Sequence, residues 1–87
     1  SYRGGAMITV YSKPGCVQCI TTGRALTAKG LVEGADWEFV DLTLDENAAA
    51  LEWVMGDLGY KQAPIVVVDD ETHWAGFRPD CIAKLTH

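Results

Sequence analysis

Cys16-Val17-Gln18-Cys19 sets two thiols one helical turn apart. Two chemistries use such a pair. One is half of a metal site; the other is a dithiol that closes to a disulfide and opens again. In a helix, residues i and i+3 share an edge, so this spacing permits a small disulfide ring with little backbone movement. The pair follows a β-like run and opens a helix-like stretch. Cys16 therefore stands where unpaired N–H groups and the helix dipole favour a thiolate, the attacking species in disulfide exchange. Structural zinc needs four ligands, and only Cys81, His73 and His87 remain to complete a set, with no second close pair among them. Ligand arithmetic thus favours redox work.

The elements that must position the pair are readable around it. Residues 7–11 are apolar and β-branched, the pattern of a buried strand. Ser12-Lys13-Pro14-Gly15 breaks that run. A helix is predicted from about residue 16 to 29, stopped by Gly30, with Cys19, Thr22 or Gly23, and Leu26 on its inner face. Residues 37–40 read as a second strand. Thr43-Leu44-Asp45-Glu46 fits a capping box, with Thr43 as N-cap, opening a helix whose apolar stripe is Leu44, Ala48, Leu51, Met55 and Leu58. Residues 64–68 and 72–75 make a hairpin around Asp69-Asp70-Glu71. Pro79 suits the first turn of a last helix whose apolar face holds Cys81, Ile82 and Leu85. The order is β-α-β-α-β-β-α: an α/β protein with a four-stranded mixed sheet flanked by three helices.

Composition bounds the function. The 87 residues suffice for one modest core, and a 48% apolar fraction argues against disorder. No apolar run approaches a membrane span, and no leader with a cleavage site precedes the first strand, so a cytoplasmic, membrane-free protein is expected. Three cysteines, an odd count, disfavour a secreted disulfide scaffold. A net charge of −5 disfavours nucleic acid as a partner. Residues 1–6 lack periodicity and read as a disordered, non-native leader, leaving residues 7–87 as a single domain.

Four segments carry a resemblance: Ile8-Thr9-Val10-Tyr11-Ser12-Lys13-Pro14, Cys16-Val17-Gln18-Cys19, Gly59-Tyr60-Lys61-Gln62-Ala63-Pro64-Ile65-Val66 and His73-Trp74-Ala75-Gly76-Phe77-Arg78-Pro79-Asp80. Together they resemble the NrdH-redoxins, glutaredoxin-like proteins of the thioredoxin fold with thioredoxin-like partners. The resemblance implies a protein disulfide oxidoreductase. Its electrons would come from NADPH through thioredoxin reductase and go to the large subunit of class Ib ribonucleotide reductase. It implies no bound cofactor or metal, and nothing demands more than a monomer. Cys16 would be the nucleophile and Cys19, one turn on and more buried, the resolving thiol. The Ala63–Pro64 bond would be cis and face the dithiol, leaving the Ala63 backbone free to pair with an extended substrate. Val17, Gln18, Trp74, Gly76, Phe77 and Arg78 would border the partner, with Phe77 adding to an apolar patch with Val17 and Tyr11, although core filling stands as the alternative for the aromatic pair and Trp74 could be partly core. Arg78 would pair an acidic partner or Asp80. Lys13 would steady the thiolate, bind a glutathione carboxylate as the matching lysine of glutaredoxins does, or remain solvated.

Two alternatives stand beside this reading. A glutathione-dependent glutaredoxin, in some families holding an iron–sulfur cluster, commonly shows C-P-Y-C and a G-G-x-x-D-like segment. Here Val17-Gln18 stands between the cysteines, and Phe77 replaces the second glycine, crowding a glutathione backbone. A non-catalytic module that binds a metal or a partner on the same scaffold would show no disulfide-reductase turnover.

Overall fold

A computed structural model describes residues 7–85. The leader expected at residues 1–6 lies outside the described residues, as does His87. The strands are β1 (Ile8–Ser12), β2 (Trp37–Asp41), β3 (Ile65–Val67) and β4 (His73–Ala75), and the helices are α1 (Val17–Ala28), α2 (Ala48–Glu52) and α3 (Pro79–Ala83). The sheet order is β2-β1-β3-β4. β1 runs parallel to β2, with Ile8 opposite Trp37, and antiparallel to β3, with Tyr11 opposite Ile65. β3 and β4 are antiparallel, with Val66 opposite Trp74. Near the hairpin turn, Asp69 Oδ1 accepts from the backbone N–H groups of Glu71 and Thr72. The mixed four-stranded sheet and its three helices are those expected.

Side chains of successive strand residues point to opposite faces, and this alternation divides the core. On one face, Ile8, Val10, Trp37, Val66 and Trp74 pack with Leu26 of α1 and Ile82 of α3. On the other, Ile65 packs with Leu42 and Val54, joined by Tyr11, Leu51, Trp53 and Leu58. The buried residues of α1 are Cys19, Thr22, Gly23 and Leu26, the predicted inner face. Gly23 sits where a Cβ would fall 2.7 Å from the Phe39 ring and 2.9 Å from that of Trp37. Only glycine lets α1 lie this close to β2, which outweighs its poor helix propensity.

The second helical segment departs from its prediction. The capping box does not form. Asp41 Oδ1 takes both the backbone N–H (2.8 Å) and the hydroxyl (2.6 Å) of Thr43, so that hydroxyl caps nothing downstream. The chain instead enters through a 3₁₀ turn at Asp45–Asn47, preceded by an extended Leu44, and Asn47 ties back to the Asp41 carbonyl. After α2 the backbone widens into a π turn, Trp53–Asp57, where the N–H of Leu58 reaches the carbonyl of Trp53 at 3.0 Å. Leu51 and Leu58 of the expected stripe do face the core. Leu44 precedes the first helical turn and is exposed, and the widened turn brings Val54 inward in place of the exposed Met55.

Candidate functional site

β1 ends at Ser12, and residues 13–15 turn the chain towards α1. Gly15 supplies the turn with φ +74, a left-handed conformation that glycine adopts without penalty. Cys16 follows as the N-cap of α1, with extended backbone angles, so it stands just before the helix rather than in its first turn. Its Sγ accepts a hydrogen bond from the Cys19 backbone N–H at 3.1 Å, taking the place of a serine or aspartate oxygen at a helix start. Cys16 and Cys19 are joined by a disulfide, with their Cα atoms 5.2 Å apart. Cys16 is 8% exposed and Cys19 3%, so the order of access is the one assigned from sequence. A groove of about 310 Å³ opens on the pair, lined by Ser12, Lys13, Pro14, Gly15, Ile20, Phe39 and Asp41 as well as both cysteines. Hydrogen bonds from the Thr43 hydroxyl and backbone N–H hold the Asp41 carboxyl below its usual range.

The Ala63–Pro64 peptide is cis. Pro64 is buried at the start of β3, and its carbonyl accepts from the Gly76 N–H at 2.7 Å, tying the proline to the segment after β4. Gly76 has φ +83, and the nearest atom to its open side is Oε1 of Gln18. These contacts bring Gln18, Pro64 and Gly76 into one neighbourhood. Lys13 joins the dithiol groove to a second groove of about 320 Å³, where it faces Lys61, Gln62 and Ala63. Val17 is 75% exposed and Phe77 36%.

Two expected contact residues lie elsewhere. Trp74, assigned to the partner surface, is only 6% exposed and packs in the core with Val66 and Ile82, because its position on β4 points to the α1 side of the sheet. Tyr11, assigned to the apolar patch, lies edge-on to Trp53 at 6.2 Å on the other face. Arg78 is bound within the chain. Its Nε and an Nη atom donate to the two carboxylate oxygens of Asp80 at 3.1 and 2.9 Å. Hydrogen bonding from Arg78 brings the Asp80 carboxyl down to about 2.

Of the residues left as structural, Cys81 is a free, half-buried thiol on α3. His73 Nδ1 lies 2.7 Å from the Tyr60 hydroxyl. Among the described residues no three side chains of His, Cys, Asp or Glu gather as a metal set. Sequence reasoning missed Ser12, Ile20, Phe39 and Asp41 in the wall of the dithiol groove. The alternation Trp37-Glu38-Phe39 beneath a helical glycine was the available signal, since it places two aromatic rings on one face under α1.

The glutaredoxin family model matches residues 8–74. The chain is 37% identical to the glutaredoxin-like protein NrdH of Salmonella typhimurium over 78 residues, covering 90% of this chain and 86% of that protein. It is 34% identical to NrdH of Lactococcus lactis subsp. cremoris, covering 91% and 99%. The solved NrdH-redoxin from Escherichia coli, described as having a thioredoxin-like activity profile, superposes with a TM-score of 0.72 at 36% identity, covering 93% of this chain and 96% of that one. A glutaredoxin from Archaeoglobus fulgidus shares the fold, with a TM-score of 0.72 at 23% identity. The chain belongs to the glutaredoxin family, and within it to the NrdH glutaredoxin-like proteins: a thiol–disulfide oxidoreductase with its C-x-x-C pair at Cys16 and Cys19. No helix among the described residues is long and apolar enough to cross a membrane.

Proposed function

We propose that this protein carries electron pairs, as a cytoplasmic monomer, from thioredoxin reductase to the large subunit of class Ib ribonucleotide reductase. NADPH is then the ultimate donor, and the carrier itself holds no cofactor. The observation that carries the reading is the place of Cys16 Sγ at the start of α1, under the Cys19 N–H, in a chain of the NrdH type.

The reaction follows from that placement. In the reduced protein the Cys16 thiolate, favoured by the Cys19 N–H and the helix start, attacks one sulfur of the target disulfide. That S–S bond breaks, a mixed disulfide forms, and the displaced target sulfur leaves as a thiolate that takes up a proton. Cys19 then gives up its proton and attacks Cys16 Sγ. The mixed disulfide breaks, the second target sulfur leaves and is protonated, and Cys16–Cys19 closes. Two electrons and two protons have passed to the target. The dithiol of thioredoxin reductase reverses the sequence on this side. In this reading the backbone of Ala63, as the family resemblance implies, pairs with the extended backbone of the target.

The runner-up, a glutathione-dependent activity, is favoured by one feature: two cationic residues, Lys13 and Lys61, line the groove that Ala63 also lines, and a peptide carboxylate would suit them. A coupled insulin-reduction assay separates the two. NADPH with thioredoxin reductase is expected to sustain turnover, and glutathione with glutathione reductase is not. The reverse outcome rejects the assignment.

A further inference from the structure

A third groove lies beside the dithiol site. It runs between α1 and β2, holds about 410 Å³, and is lined by Ile20, Gly23, Arg24, Glu33, Trp37 and Phe39, among others. Ile20 and Phe39 belong to its wall and also to the wall of the groove over Cys16 and Cys19, so the two grooves adjoin at these residues. The missing side chain of Gly23 and the edge-on Trp37–Phe39 pair, with ring centres 4.9 Å apart, form its floor. Ile20 is 53% exposed and Phe39 38%, and Val17, one turn before Ile20, is 75% exposed. An apolar face of this kind, beside the dithiol groove, is costly to leave in water. Its charged lining residues are Arg24 and Glu33, one of each sign, so it selects no net charge and leaves apolar contact as the discriminating interaction.

We propose that this α1–β2 groove seats an apolar side chain, aromatic or leucine, of the protein whose disulfide is attacked, close to its attacked cysteine. The inference rests on Cys16 being the attacking sulfur. It makes Ile20 and Phe39 determinants of substrate choice. A small disulfide reacts at the sulfur alone, whereas a polypeptide disulfide gains from burying its neighbouring ring. Its adjacency to the dithiol site favours this occupant over a second copy of the chain, whose contact there would cover Cys16.

The test uses the protein reduced with dithiothreitol, so it does not depend on which reductase recharges it. Stopped-flow rates are measured for peptide disulfides of equal length that carry a single Phe, or Ser in its place, at successive positions around the cysteine. At one or a few positions Phe is expected to accelerate the reaction about tenfold over Ser, a modest return for a ring leaving water. Ile20→Ser is expected to collapse that ratio, whereas Val32→Ser, equally exposed in type but outside the groove, retains it. No position favouring Phe, a ratio untouched by Ile20→Ser, or a ratio lost equally in Val32→Ser overturns the proposal. A concentration-dependent dimer that Ile20→Ser dissolves also overturns it, in favour of a second copy as occupant. A collapsed ratio in a protein that thioredoxin reductase fails to recharge upholds the groove and rejects only the choice of electron donor.

Discussion

Cys16 and Cys19 differ in exposure by a few percent, yet their surroundings differ in kind. Both line the groove, but Cys16 caps α1 and its Sγ accepts the Cys19 N–H, while Cys19 lies on the inner face of α1 with Thr22 and Leu26. The proposed function assigns the attack to Cys16 and the resolution to Cys19. With a protein disulfide as target, Cys19→Ser is expected to accumulate a covalent mixed disulfide visible by mass spectrometry, and Cys16→Ser is not; equal trapping by both would mean the roles are misassigned. At the other exposed site, Asp80 is expected to titrate at about 2, and Arg78→Ala to return it towards the ordinary 3.8, as read by carboxyl chemical shifts. The folded-state value is depressed, so the pair's contribution is present above the unfolded carboxylate's range and fades as pH falls through about 2. Both groups are solvent-exposed, which keeps that contribution small. The dithiol was legible in the sequence because C-x-x-C at a strand–helix junction has few other uses. Trp74 stood open between core filling and the active edge, because the motif around it marks position in the chain and not the face of β4 on which the ring falls.

At the scale of elements, α1 was legible and the segment from Thr43 to Leu58 was only partly so. The inner face of α1 follows from helical spacing alone. The capping box failed through local competition: Asp41, one residue before Leu42, captured Thr43 first, and short polar side chains near a helix start always offer such rival bonds. The π turn then displaced the stripe by one residue at Val54. No periodicity argument registers a widened turn in advance. The contact between α1 and β2 gives the sharpest element-scale prediction. Gly23→Ala gains about 1 kcal/mol of helix propensity, but its methyl group meets Trp37, which is 1% exposed and has no room to yield. Overpacking of this sort costs about 1–3 kcal/mol. Urea unfolding is therefore expected to show a net loss of about 1 kcal/mol, and a stabilised variant would contradict the packing described.

Across the whole molecule, one end of the sheet gathers everything the chemistry uses. The loop after β1, the start of α1, the cis peptide before β3 and the Gly76 turn after β4 converge there, tied by the Gly76 N–H to Pro64 carbonyl bond. Sequence order gave the elements and their pairing, and the family resemblance supplied the cis proline, since an Ala-Pro dipeptide alone favours trans. The α1–β2 groove was out of reach by either route: it depends on Ile20 and Phe39 meeting across two elements, which only the packed fold decides. The proposed function makes Cys16 the attacking sulfur at that end of the sheet, in the groove that both cysteines line. Reconstituted class Ib ribonucleotide reductase tests that account most directly. With NADPH, thioredoxin reductase and this protein in catalytic amount, ribonucleotide reduction is expected to turn over continuously and to stop when Cys16→Ser replaces the native chain. Sustained turnover with glutathione and glutathione reductase instead, or none from the NADPH-driven system, would contradict it.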